Sequence, residues 1–479
     1  MTLPPDLSQL THEEKDALIL AQAALIAALE ARLAELERRI GLTSKNSGKP
    51  PSSDGLGKPP RTQSQRGRDG KKKPSGGQKG HPGTTLKQVK TPDVRIDHYP
   101  DTCSGCGAGL TPTMDTGHAA RQVFDLPEPR PLVVTEHLAH RCRCAGCGIE
   151  TRASFPDGVT APVQYGGRIS AIAVYLQNYQ LLPEDRLAEL MIDLFGVPLV
   201  PATIARMAGS CAARYQGLVD AIENRIKTVP IKHMDETGFR IGGKTQWLHI
   251  ASTEWLTHYR TSDKRGSLLG GVSGIIVHDH WKPYYTMDGV LHALCNAHHL
   301  RELQALIDIE KECWAGQMQK LLRIALHVVN RAKLNGVAPS PRHVARLERC
   351  YDAIVAAGFA FHEGQPPLAI AMTKSGRPRR GRPPRRTGHN LLIRLRDRRG
   401  DVLRFLHDPD VPFTNNQGEQ DGRMMKLRQK ISGGFRSDEG ADIFATLRSL
   451  ISTAKKHGWN ILQVLTAGPE ILLGQLRPA

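Results

Sequence analysis

Ile231-Lys-His-Met-Asp235-Glu-Thr-Gly-Phe-Arg-Ile241, with Gly274-Ile-Ile-Val-His-Asp279 further along, is the stretch on which the fold turns. Residues 231–241, 246–252 and 256–261 are β-rich and separated by Gly-Gly or polar turns, which predicts a three-stranded meander. A fourth apolar run, 274–278, ends at Asp279. Residues 291–294 form a fifth candidate strand, leading into a helix from Ala297. A strand carrying or ending in Asp is unspecific by itself. Two such strands beside a meander are more telling, because adjacent strands bring their carboxylates together. A third carboxylate is offered by Asn415-Asn-Gln-Gly-Glu419-Gln-Asp-Gly-Arg423. There Asn415 or Asn416 can cap a helix whose first turns carry Glu419. Asp421 lies about 200° away from Glu419 around that helix and cannot share its face.

Outward from this centre the chain changes character several times. Residues 300–370 read as mainly helical, an Arg-rich segment follows, and two more helices cover roughly 415–430 and 440–473. Upstream, Ile169, Ile172, Ala173, Leu176 and Tyr179 repeat on one helical face within 163–226, and a further helix opens at Pro201. Short helices of this kind suit either a helix-turn-helix DNA reader or a plain helical bundle. At the start of the chain, Ile19, Ile26, Leu29, Leu33, Leu36 and Ile40 are spaced by sevens, threes and fours. This is a coiled-coil seam of about three heptads, closed by Gly41. It serves self-association or packs on the rest of the chain. Residues 43–90 hold six Pro, nine Gly and six Ser, too few apolar groups for a core, and so form a flexible linker.

Between linker and helices, Cys103-Ser-Gly-Cys106-Gly and Cys144-Ala-Gly-Cys147-Gly repeat one knuckle form. CxxC spacing lets two thiolates reach one tetrahedral ion, and the glycine permits the tight turn that faces backbone N–H groups toward sulfur. Cys103, Cys106, Cys144 and Cys147 are therefore candidate ligands of a structural Zn2+, with Cys142 an alternative to Cys144. Cys211, Cys295, Cys313 and Cys350 are expected to be buried free thiols. A zinc site at Cys295 and His298 is set aside, since no further ligands lie at suitable spacing.

The formal charge of +18 over 479 residues is concentrated. Residues 43–90 carry twelve Lys/Arg against two Asp, and residues 374–399 carry eleven against one. Such segments point to a polyanionic partner. The polar, acidic start does not read as a signal peptide, and the longest apolar stretch, 17–29, is too short to span a bilayer. Nine cysteines without a secretory signal argue against a disulfide scaffold. A soluble cytoplasmic, nucleoid-associated protein with no membrane partner is expected.

Four stretches make the chain resemble the insertion-sequence-66 family of DDE transposases over nearly its whole length. They are Lys45-Asn-Ser-Gly-Lys-Pro-Pro-Ser-Ser-Asp54; the paired cysteine knuckles; Met234-Asp-Glu-Thr237 with Asp279; and Pro412-Phe-Thr-Asn-Asn-Gln-Gly-Glu419 continuing to Lys430-Ile-Ser-Gly-Gly-Phe-Arg-Ser437. The resemblance implies an α/β, RNase H-like catalytic core with a helical insertion between the second Asp and the Glu. It also makes Asp235, Asp279 and Glu419 a metal-binding triad for two Mg2+ (or Mn2+) ions, which need oxygen ligands and open positions for water. Three departures stand out. Gly418 replaces a usual Ala, Gln420 replaces a usual Arg, and Gly422 adds a second glycine. Inside a helix each glycine costs roughly 1 kcal/mol relative to Ala.

The expected organisation is a coiled-coil helix (1–42), a basic flexible linker (43–90), a zinc-binding module (91–160) and a helical DNA-binding module (161–228). A catalytic domain (229–437) with a helical, Arg-rich insertion at about 303–410 and a C-terminal helical element (438–479) complete it. The implied function is that of an insertion-sequence transposase, cutting and joining double-stranded DNA at the element's terminal repeats and in a target. It would act as a homo-oligomer, with helper proteins as further candidate partners. The alternatives are a catalytically weakened zinc-containing DNA-binding protein and a metal-dependent nuclease or resolvase. Candidate DNA contacts are Arg377, Arg379, Arg380 and Arg382, in Gly-Arg-Pro units that suit A·T minor grooves or nonspecific phosphate contact. Arg423, Lys426, Arg428 and Lys430 are candidate phosphate ligands. Either His298 or Arg301 lies near a scissile phosphate, or both serve core packing. Trp281 and Tyr284 stack on a frayed base or belong to the core.

Overall fold

The computed structural model describes residues 11–41, 87–125, 132–368 and 385–477. Most of the expected basic linker, with the Lys45–Asp54 motif, and Arg377, Arg379, Arg380 and Arg382 lie outside the described residues.

Helix α1 (His12–Gly41) opens the described chain. Thr11 and Glu14 cap each other reciprocally: the Glu14 N–H donates to Thr11 Oγ1, and the Thr11 N–H donates to Glu14 Oε2. Strands β1 (Arg141–Arg143) and β2 (Glu150–Arg152) form a small antiparallel hairpin around the second cysteine knuckle. Then come α2 (Gly167–Val174), α3 (Glu184–Phe195) and the long α4 (Pro201–Thr228).

The central sheet follows: β3 (Ile231–Ile241), β4 (Lys244–Ser252), β5 (Thr257–Ser262), β6 (Gly274–His278) and β7 (Val290–Leu294). Its spatial order is β5-β4-β3-β6-β7. The first three strands pair antiparallel, whereas β6 runs parallel to β3, and β7 parallel to β6. The sheet's first and fourth strands are thus neighbours. Gly274 makes the junction possible. Its φ is +82°, and a Cβ there would stand 2.5 Å from the Pro230 carbonyl oxygen.

Both faces of the sheet are covered. On one, Met234, Ala251 and Ile276 share a core with Tyr215, Leu218 and Ile222 of α4. Residues of α2 also belong to that core, so the upstream helices pack into the sheet's own interior. On the other side, α5 (Asn296–Ala305) begins directly after β7. The helices α6 (Cys313–Leu334), α7 (Pro341–Glu363), α8 (Thr387–Asp397) and α9 (Arg399–His407) then build a second core with Val277, Ala293 and Leu294. These four helices lie between β7 and the segment that carries Glu419.

The chain returns in α10 (Asn416–Ser432), which lies over β3 and β4, and α11 (Asp438–Lys456), which lies along β5 and α4. Ser437 caps α11 by accepting the Gly440 N–H at 3.2 Å, an arrangement contributing about 1 kcal/mol. Helix α11 also covers the sheet's edge. The Tyr259 N–H donates to Ser449 Oγ at 2.9 Å and the Thr257 N–H to Thr453 Oγ1 at 3.1 Å. Edge N–H groups that would otherwise template pairing with another chain are thereby satisfied. Short helices α12 (Ile461–Thr466) and α13 (Pro469–Gln475) close the core.

Two expectations about cysteine fail. Cys211 and Cys295 are buried, but Cys313 and Cys350 are exposed. Cys313 stands at the first residue of α6, and Cys350 faces outward from α7.

Candidate active site

Asp235 lies in the middle of β3, opposite Ile250 of β4, on the face that α10 covers. Asp279 follows the last residue of β6. Glu419 sits in the first turn of α10. Burial pushes the Asp235 carboxyl up to about 8, and the charges of Glu236, Asp279 and Glu419 push the same way. Three carboxylates from two adjacent strands and a crossing helix therefore feel one another, the like-charge effect that raises a carboxyl pKa. Asp235 Oδ1 accepts the Glu236 N–H at 2.9 Å, and Asp279 Oδ1 accepts the Trp281 N–H at 3.0 Å. These bonds hold one oxygen of each Asp to its own backbone.

Helix α10 is seated by residues whose sequence role looked different. Asn415 occupies the cap position, but its side chain makes no capping bond. Its Nδ2 instead donates to the Met234 carbonyl at 2.8 Å, and its Oδ1 lies 2.8 Å from His233 Nδ1. Its backbone N–H donates to Cys295 Sγ at 3.1 Å. The helix start is thus tied to the strand of Asp235. Gly418 and Gly422, one turn apart, are buried against that strand. A Cβ on Gly418 would stand 3.3 Å from Asp235 Cβ, and one on Gly422 would stand 2.9 Å from Ile250 Cδ1. The glycines that weaken the helix in isolation are what let it approach. Asp421 points elsewhere, to Lys456 at 2.9 Å and Thr257 Oγ1 at 3.3 Å.

Around Glu419 gather groups from α5 and the residue before it. Arg301 Nη2 lies 3.6 Å from Oε2, His298 Nδ1 lies 3.8 Å from Oε1, and Cys295 Sγ lies 4.0 Å from Oε1. His298 and Arg301 thus flank the acidic site. On the other flank, Glu236 is buried beside Asp235 and was given no role by the sequence. Its Oε1 takes the Arg265 guanidinium at 2.5 Å and its Oε2 accepts the Tyr284 O–H at 2.6 Å. Arg265 in turn lies 4.2 Å from the Trp281 ring and 5.0 Å from that of Trp247. Tyr284 is fully enclosed, which places it in the core, the second of its two alternatives. The one advance signal for Glu236 was its adjacency to Asp235; nothing marked Arg265.

Of the basic residues on α10, Arg423, Lys426 and Lys430 are exposed. Lys426 donates to the Gly238 carbonyl at 2.8 Å. Burial lowers its pKa, opposed by the Asp235 charge. Arg428 packs on aromatic rings. It lies 4.5 Å from the Phe435 ring and 5.0 Å from that of Phe444, and burial lowers its pKa.

The two cysteine knuckles share one backbone geometry. The Cys103 N–H donates to the Ala108 carbonyl and the Gly107 N–H to that of Cys103; Cys144 pairs with Ile149 and Gly148 in the same way. Gly107 and Gly148 have φ of +76° and +73°. Backbone N–H groups at Gly105 and Cys106, and at Gly146 and Cys147, lower the Cys103 and Cys144 thiol pKa values. Cys144, not Cys142, therefore matches Cys103; Cys142 sits within β1. The four thiols are not gathered within 4.8 Å of one another; among the described residues only Cys295, His298 and Glu419 form such a group.

No helix among the described residues is long and apolar enough to cross a membrane. The profile of the transposase IS66 family matches residues 162–443, and that of a family of unknown function (DUF6444) matches residues 2–87. Two uncharacterized proteins of Sinorhizobium fredii are similar. Protein y4jO is 38% identical over 84 residues, 16% of this chain and 26% of its own length. Protein y4hP is 22% identical over 393 residues, 74% of this chain and 68% of its own length. The match to y4jO thus spans about a quarter of that relative.

Proposed function

The chain belongs to the transposase IS66 family, and from that premise we propose that it cuts and joins DNA strands at one site formed by Asp235, Asp279 and Glu419. The observation carrying this reading is the placement of Asp235 on β3, Asp279 at the end of its parallel neighbour β6, and Glu419 on the helix that lies over β3. The strand order, with β3 and β6 parallel and adjacent, supports an RNase H-like core. An all-oxygen donor set of three acids fits hard divalent ions, Mg2+ or Mn2+. When bound, two such ions would polarise the attacking oxygen and stabilise the leaving oxygen of an in-line displacement at phosphorus.

The chain's own groups supply position and charge. Arg301 and His298 flank Glu419 and are suited to a phosphate oxygen entering beside it. Exposed Arg423 and Lys430 would extend that contact along the DNA backbone, as would the arginines at 377, 379, 380 and 382. Water attacking the phosphodiester at the element's end would leave a free 3′-hydroxyl. That hydroxyl would then attack a target phosphodiester, so no covalent protein intermediate is needed. Cys103, Cys106, Cys144 and Cys147 would hold a structural Zn2+ once the two knuckles meet. Their matching N–H-to-sulfur geometry is that of thiolate ligands. The expected domain organisation stands as part of this proposal.

The rival of a catalytically weakened DNA-binding protein rested on the two glycines. Their contact with Asp235 and Ile250 argues against it. The test incubates purified protein with Mg2+ and terminal-repeat DNA and scores nicks and joined products. Asp279→Asn should lower both by about 10²–10³-fold, the loss of roughly 3–4 kcal/mol of transition-state stabilisation. Binding without nicks would remove the enzymatic reading, and nicks without joining would make the protein a nuclease.

A further inference from the structure

We propose that Cys295, His298 and Glu419 form a second metal site, for a thiophilic ion such as Zn2+, Co2+ or Cd2+, adjoining the acidic site and sharing Glu419 with it. One sulfur, one imidazole nitrogen and one carboxylate oxygen lie within 4.8 Å of one another. Individual separations are 4.0 Å for Cys295 Sγ to Glu419 Oε1 and 3.8 Å for His298 Nδ1 to the same oxygen. Tetrahedral coordination at ordinary Zn–S, Zn–N and Zn–O lengths places such atoms about 3.4–3.6 Å apart. The two separations to Glu419 therefore need to close by about half an ångström, and Cys295 Sγ and His298 Nδ1 already stand within 4.8 Å of each other. A second observation points the same way. His298 Nδ1 is buried and has no hydrogen-bond partner, although a buried ring nitrogen ordinarily finds one.

The donor set separates this site from its neighbour. Mg2+ takes oxygen and rejects thiolate, while ions of borderline softness prefer a mixed sulfur, nitrogen and oxygen set. Three protein ligands leave a fourth position open for water or another small ligand. The scaffold is already rigid: Cys295 ends the β7 turn, His298 lies on α5, and the Asn415 N–H donates to Cys295 Sγ. Sequence spacing concealed the site because its third member comes from a helix 124 residues beyond Cys295. Because Glu419 is common to both, a thiophilic ion held here would compete for a ligand that the proposed catalytic ions need. The site itself stands on geometry; only this competition rests on the functional reading.

The test is a Co2+ titration of the full chain with Cys103, Cys106, Cys144 and Cys147 replaced by Ser, followed by absorption. Expected is a thiolate-to-cobalt charge-transfer band saturating near one equivalent. It should be lost in Cys295→Ser and weakened in Glu419→Gln and His298→Ala, yet kept in Asp235→Asn and Asp279→Asn. Absence of the band, or its survival in Cys295→Ser, overturns the proposal. If the fourfold variant does not fold, the native chain with zinc-loaded knuckles is compared with its Cys295→Ser form, and an unchanged spectrum overturns the proposal equally. A chain that shows the band but neither nicks nor joins DNA would reject the functional reading and leave this site standing.

Discussion

Asp235 is a carboxylic acid held far from its ordinary state, and the departure has a signed consequence. Its carboxyl moves from an ordinary 3.8 to about 8, through burial first and then the charges of Glu236 and Asp279. Between those values the folded chain holds a proton that the unfolded chain has released. Stability from this group is therefore complete below about pH 4 and is lost as pH rises through about 8. In metal-free protein the Tm should fall from mildly acidic to mildly basic pH, and fall less in Asp235→Asn. Adding Mg2+ should recover most of the loss at the basic end, because an ion bound only by the folded form stabilises it. A wild-type profile that parallels Asp235→Asn would show that this carboxyl is not what titrates. Asp235 and Asp279 were legible in sequence because short strands displayed them. Arg265, which neutralises Glu236 from 29 residues away, was not, since no local pattern marks a loop arginine that closes over a strand.

At the scale of the element, α10 decides the site, and its sequence reads two ways. By helix propensity Gly418 and Gly422 are defects of roughly 1 kcal/mol each. In the folded chain they stand where β3 and β4 come closest, and a larger side chain would meet Asp235 or Ile250. Overpacking a close contact costs about 1–3 kcal/mol, which exceeds the gain in propensity. Gly422→Val should therefore destabilise the protein by that amount in denaturant melts and lower strand cleavage further than the stability loss explains. A stabilised or fully active Gly422→Val would reassign the glycine to helix propensity alone. Asn415→Ala should act through the same joint, since it strips partners from His233 and the Met234 carbonyl, a loss of about 1–3 kcal/mol. Helix placement was legible from the Asn415–Glu419 stretch. The Asn415 bond to β3 was not, because a cap signal on the chain is indistinguishable from a side chain that reaches sideways to a strand. The burial of Arg428 was hidden for a similar reason: its aromatic partners lie on the turn after α10 and on α11.

For the whole molecule, the unanswered demand is the apolar seam of α1. Ile19, Ile26, Leu29, Leu33 and Leu36 are each close to half exposed or more, lined up along thirty residues of helix. Isolated exposed leucines are ordinary, but a stripe at heptad spacing is a surface built to be covered. Each such side chain contributes about 1.5–3 kcal/mol when fully buried. Three heptads therefore suffice for association only if most of the seam closes at once, which makes the assembly sensitive to single charges. Replacing Leu29 and Leu33 by Glu should reduce the mass measured by light scattering to that of one chain. The main thermal transition should stay in place, because neither residue belongs to the cores around the sheet. Strand joining should suffer more than nicking, since joining needs element ends and target held together whereas a nick needs one. If the double variant keeps its oligomeric mass, the seam packs on its own chain, and the partner-binding surface lies elsewhere.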